Sequence, residues 1–283
     1  MPTLDELITH QRAELRPPGH PARSASLFVL ARSLYKRFKK GGSIGDLAEA
    51  IALDQASLEI NPVGHPDRPI FLHNLALDLY EKHHVQHTMA DIQAAIVLAQ
   101  EATELCPTAH PHRWQYITTL ANLLNDRFEE QGSVTDLDAV ITLDREASEL
   151  CPPGHRSESL GNFAWDLYKR HKLQQDRASL NEAIVYGREA LGLCQAENSH
   201  RSIILGNLAC YLDERFKSEG ALVDIEEAIL LGQETLDLCP EGHPDRLAML
   251  DNLAPRYLYL ETKVGVSVHP SIILFMAKRP SQT

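Results

Sequence analysis

The chain has 283 residues and carries 39 Asp and Glu against 27 Lys and Arg, a formal charge of −12. That sign argues against a nucleic-acid partner, because gripping a phosphate backbone needs basic surface to displace counterions. No basic-then-apolar leader opens the sequence and the longest apolar run, Ile272–Met276, is far too short to span a bilayer, so no membrane partner is expected; five cysteines without a leader point to a reducing compartment, the cytoplasm.

The sequence repeats itself. A small residue behind an apolar one recurs at Ala31, Ala76, Ala121, Ala164, Ala209 and Ala254, at intervals of 45, 45, 43, 45 and 45 residues. An Arg stands eight positions before each, from Arg23 to Arg246. The short interval arises where His-Pro-x-Arg contracts to His155-Arg156. A fixed period of this length marks stacked structural units rather than one globular core.

In chain order, an incomplete second helix, Leu4 to Leu15, precedes units that start near residues 17, 62, 107, 152, 195 and 240. Each unit predicts two helices of roughly 17–20 residues. In the second unit Leu72, Leu75, Ala76 and Leu79 form the apolar stripe of the first helix. Ile92, Ala95, Ile96, Ala99, Ala102 and Leu105 form that of the second. Asp46, Asp91, Asp136, Ser179 and Asp224 are expected to cap the second helices. Pro62, Pro107, Pro152 and Pro240 follow their ends, with Gln195 the exception. The fold class is therefore all-α, an α-solenoid of stacked antiparallel helix pairs, with the Ala column and a second small column (Ser57, Ala102, Ala147, Ala190, Thr235) where helices approach closely. The array is expected over residues 1–260 and a divergent tail over 261–283. The sixth first helix carries Pro255 and has no partner after it; its apolar face is expected to be covered by Ile272–Met276 or left open, as in a fragment or remnant of a longer protein.

The pattern Leu75-Ala76-x-x-Leu79, Ala95, Ala102 and Pro107 resembles the tetratricopeptide repeat. That family's period is about 34 residues, and the extra length here falls in helix ends and loops. Long units with Asn-Leu-Ala and Gly-His-Pro-Asp-Arg are similar to kinesin-light-chain-like repeats, and to fungal arrays that precede a caspase-like CHAT protease domain.

Residues with chemical potential read mostly as structural. Cys106, Cys151, Cys194 and Cys239 close successive second helices, so they stand about 10 Å apart, too far to share a metal or a disulfide. The His column from His20 to His243 is expected to tie inter-unit loops. His83, His84 and His87 have ligand-like spacing, but His83 and His171 stand in the place of Phe38, Phe128 and Phe216, a packing position. The Arg column, at helix starts where the dipole disfavours a cation, is expected to pair with Glu59, Glu104, Glu149 and Asp237. No nucleophile set, phosphate loop, cofactor site or metal site is expected.

The resemblance implies that first helices line a concave groove holding a peptide, with Asn two positions before the small residue. That column reads Val29, Asn74, Thr119, Asn162, Asn207 and Asn252. An Asn amide both donates to and accepts from a peptide backbone. Tyr35, Tyr80, Tyr168, Trp165 and His73 lie beside it as candidate anchors. The expected function is a non-catalytic scaffold for a protein or peptide partner; the alternative is the sensor arm of a larger CHAT-type protease.

Overall fold

A computed structural model of the chain describes residues 3–196, 198, 200–239, 241–243 and 246–264, without the side chains of 261, 263 and 264. The described residues form twelve α-helices and no strand. They fall into two compact units, residues 1–150 and 151 onward. The N-terminal unit holds α1 (Leu4–Ala13), α2 (Arg23–Lys39), α3 (Ile44–Ile60), α4 (Arg68–Gln86), α5 (Met89–Leu105), α6 (Arg113–Gln131) and α7 (Val134–Leu150). The C-terminal unit holds α8 (Pro153–Gln174), α9 (Arg177–Leu193), α10 (Arg201–Glu219), α11 (Leu222–Leu238) and α12 (Arg246–Val264). Pro255 lies inside α12, which continues past it. The proposed cover Ile272–Met276 lies outside the described residues.

Both small columns are buried in all repeats, as their close approach requires. In the N-terminal unit Leu75, Ala76, Leu79, Ala95, Ile96, Ala99, Leu120 and Ala121 share one core. Ala121→Leu is expected to cost about 1–3 kcal/mol by overpacking. A thermal melt no lower than the parent's would contradict this packing.

Cations on the first helices fasten most of the helix pairs at their ends. Near the end of the first helix, Arg37 forks onto both oxygens of Asp46 (2.8 and 2.6 Å). Arg127 does the same to Asp136 (2.7 and 2.7 Å) and Arg215 to Asp224 (2.8 and 2.7 Å), while Lys82 reaches Asp91 at 2.8 Å. Arg170 instead donates to the hydroxyl of Ser179. The hydrogen bonds from Arg37 hold the Asp46 carboxyl below its ordinary value. The expected capping role of Asp46, Asp91, Asp136, Ser179 and Asp224 is corrected here: the N-caps are Ser43, Thr88, Asp176 and Ala221 where they are defined, three residues earlier. A carboxylate in the first turn already suits the helix dipole, and there it accepts a bidentate guanidinium as well.

The other end of the pair is held by the Arg column in the second to fifth repeats, with partners different from those expected. Arg68 donates to Glu101 (2.7 Å), Arg113 to Glu146 (3.1 Å), Arg156 to Glu189 (3.2 Å) and Arg201 to Glu234 (2.8 Å), all on the second helix of the same repeat. These contacts join the start of one helix to the end of the next, so the pairs are antiparallel. Their Nη1 atoms turn the other way: Arg68 to the carbonyl of Asn61 (2.9 Å), Arg113 to those of Thr103 and Cys106 (2.9 and 2.7 Å), Arg201 to that of Cys194 (2.9 Å). Glu59, Glu104, Glu149 and Asp237 are exposed. The cation opposes the dipole of its own helix but completes the C-terminus of the preceding one, where four carbonyls lack partners.

The His residues in Phe positions have a local reason. Where the first helix ends on Gly132 or Gly220, in left-handed backbone, the residue four before is Phe128 or Phe216. Where it ends on left-handed His87 or Gln175 (φ 52 and 55), that residue is His83 or His171. The His Nδ1 meets the carbonyl of Thr88 (3.1 Å) or Asp176 (3.0 Å), one residue past the strained one. A carbonyl only accepts, so Nδ1 donates there. The bond offsets a left-handed non-Gly residue, which costs about 1–2 kcal/mol.

Candidate protein-binding site

Three cavities lie between successive first helices. The first, about 460 Å³ in the N-terminal unit, is lined by Phe28, His73, Asn74, His110 and Tyr116 among others. The second, about 340 Å³ in the C-terminal unit, is lined by Glu158, Gly161, Asn162, Trp165, His200, Ile203, Ile204 and Asn207. The third, about 480 Å³ in the same unit, includes Tyr168, Cys210, Glu214, Asn252 and Tyr259. The structure thus brings Asn162, Trp165 and Asn207 together, sets His73 beside Asn74, and sets Tyr168 across from Asn252.

The Asn column divides by environment. Asn74 is buried and donates Nδ2 to the Ile70 carbonyl one turn back (2.6 Å), which occupies the amide within its own helix. Asn162 and Asn252 are exposed and Asn207 is half-buried; among the described residues Asn162 and Asn207 make no side-chain hydrogen bond. The aromatic candidates divide as well. Tyr35 donates to Glu81 on the next first helix (3.1 Å), and burial raises its phenol pKa well above the ordinary value. Tyr80 packs on His84 with ring centres 4.4 Å apart and bonds Asp126, and burial likewise raises it. These hydroxyls fasten neighbouring first helices. Tyr168 packs against Tyr211 with ring centres 4.9 Å apart and the rings tilted, and burial raises its phenol pKa to about 12. His73 sits 4.7 Å from the Tyr116 ring, and burial pushes its pKa down to about 4, so it is neutral there. Trp165 stands apart: it is 39% exposed, as is Ile203 at 57%.

Ile203 and Gly161 line the second cavity and are not among the residues expected from the sequence, yet the sequence carries a signal for the glycine. Gly161-Asn162 and Gly206-Asn207 repeat the same dipeptide in the interiors of α8 and α10. A mid-helix Gly costs about 1 kcal/mol relative to Ala. A Cβ on Gly206 would meet nothing within 4 Å, so packing does not demand the glycine.

The remaining candidates are structural. Cys106, Cys194 and Cys239 are buried helix C-caps. Burial raises the thiols of Cys106, Cys151 and Cys210 above their ordinary value, the opposite of a nucleophile's tuning. His20, His65 and His110 each accept, at Nδ1, the backbone N–H two residues on (3.1–3.2 Å), tying the loops as expected. His84 faces Asp126 at 3.2 Å and His83 faces Glu130 at 2.8 Å. Among the described residues no group of three His, Cys, Asp or Glu is arranged to hold a metal, and no helix is long and apolar enough to cross a membrane.

Comparison with known proteins agrees on the architecture. The tetratricopeptide repeat family matches residues 203–245. A search among curated protein sequences finds no match. Among solved structures, a single-substitution form of a putative kinesin light chain from Podosopora anserina, with nearly identical TPR-like repeats, superposes with a TM-score of 0.52 at 16% identity, covering 77% of this chain and 95% of that one. BtubC (BKLC) from P. vanneervenii gives a TM-score of 0.52 at 16% identity, over 84% of this chain and 94% of that one. The likeness is one of fold: long tetratricopeptide-type repeats in an all-α solenoid.

Proposed function

Taking the chain as a stack of tetratricopeptide-type repeats, we propose that it is a non-catalytic scaffold that binds a protein segment on the first helices of its C-terminal unit. The cavity between α8 and α10 carries this reading. There two unengaged Asn amides flank an exposed Trp165 and Ile203, with Gly161 of α8 in the lining. An extended peptide needs all three features: close access for its backbone, amides that both donate and accept, and an aromatic surface for one apolar side chain. Asn252 and Tyr168, at the third cavity, extend the same face. Asn74, Tyr35, Tyr80 and His73 serve mainly the stacking of the N-terminal unit. The five cysteines act as thiols, which suits a reducing compartment such as the cytoplasm. The sensor-arm alternative rested on residues 265–283, outside those described.

The test is selection of peptides from a random library against the full chain, followed by titration of the best binder. Asn162→Ala with Asn207→Ala removes two hydrogen bonds, about 2 kcal/mol together, or roughly thirtyfold in Kd. Val185→Ala, on the exposed side of α9, is expected to change nothing. Peptides that bind the double variant as tightly as the parent would refute the assignment.

A further inference from the structure

Arg32 on α2 donates through one atom, Nη2, to two carboxylates: Asp54 on α3 and Asp78 on α4, the latter at 2.7 Å. Both carboxylates are fully buried, at 0% exposure. Each keeps one further oxygen, Oδ1, that is buried and accepts nothing, and the two side chains lie within hydrogen-bond reach of each other. Two carboxylates and one guanidinium would leave a net negative charge in a dry interior, which is costly. One added proton cancels it and supplies the donor that the empty oxygens lack.

We propose that Asp54 and Asp78 share one proton, making a proton-operated fastening between the first repeat and the second. The arrangement belongs to this junction alone: the residues equivalent to Arg32 are Leu77, Asn122, Trp165, Cys210 and Pro255. The surrounding charges agree. From α2 the pair faces Arg32 and Tyr35, and from α4 His73 and Glu81; Arg32 is the one cation among them. Burial raises both carboxyls, Asp54 to about 8. A carboxyl that holds its proton more tightly folded than unfolded adds stability at low pH, and that stability is lost as pH rises through the folded value. Raising the pH to about 8 and beyond therefore leaves like charges facing one another between α3 and α4 and loosens the two repeats.

Asp54→Asn supplies a permanent N–H donor in the place of the proton. The wild-type melting temperature is expected to fall relative to that of Asp54→Asn, whose curve lacks this titration, between about pH 5 and about pH 8 and to run parallel to it above. Curves parallel between about pH 5 and about pH 8 would overturn the proposal. Should the variant not fold, difference infrared spectroscopy of the wild-type chain decides: a protonated-carboxyl band present near neutrality and lost as the pH passes about 8 supports the shared proton, and no such band refutes it.

Discussion

Tyr211→Ala is expected to lower the unfolding free energy by about 4 kcal/mol, while Tyr211→Phe raises it by about 1 kcal/mol. Tyr211 is 1% exposed on α10 and packs against the Tyr168 ring. Its ring fills the space that Gly187 leaves on α9, where a Cβ would come within 3.4 Å of the ring. Truncation therefore opens a void that Gly187 on α9 has no side chain to fill, and the loss approaches the upper range for aromatic residues. The hydroxyl is different, because it is buried with no hydrogen-bond partner. Burial accordingly raises its pKa far above the ordinary phenol value. Removing an unsatisfied polar atom relieves its desolvation without losing a bond. Urea titration of the two variants checks both signs, and a destabilised Tyr211→Phe would show that the hydroxyl has a partner.

Arg113→Ala is expected to cost about 3 kcal/mol, because it takes a donor from the part-buried carbonyls of Thr103 and Cys106 at the C-terminus of α5 and breaks the pair with Glu146. Arg113→Lys retains the charge but cannot present the same fork, so about half of that loss is expected. The comparison separates hydrogen bonding from charge: a Lys variant as stable as the parent would make the contribution purely electrostatic. Should Arg113→Ala unfold at the parent's urea midpoint, the Arg column does not complete the preceding helix.

The architecture was legible because it is periodic. Ala31 and its equivalents, the Pro stops and the apolar stripes each recur at the repeat length, and packing small residues between helices leaves little choice of fold. The local chemistry was less legible, for identifiable reasons. The partners of Arg68, Arg113 and Arg201 include backbone carbonyls, which every residue has and no sequence displays. Asp46 and Ser43 are both good first-turn residues, and only the fork from Arg37 shows which role Asp46 takes. Within the Asn column identical residues diverge because their neighbours differ. His73 and Tyr116 crowd the site of Asn74, whereas Asn162 and Asn207 line a cavity with the exposed Trp165 and Ile203. The triad of Arg32, Asp54 and Asp78 joins positions 22 and 46 residues apart, a pairing that appears only once the helices are stacked.

The scaffold reading stands or falls on whether a ligand covers the face that holds Trp165. The chain has two tryptophans, Trp114 and Trp165. Trp114→Phe leaves Trp165 as a reporter inside the cavity between α8 and α10. Titrating this variant with a library-selected peptide is expected to shift the Trp165 emission to the blue, saturating at the concentration where binding saturates. A peptide that binds fully while the emission of Trp165 stays unchanged would place the interaction elsewhere and contradict the account.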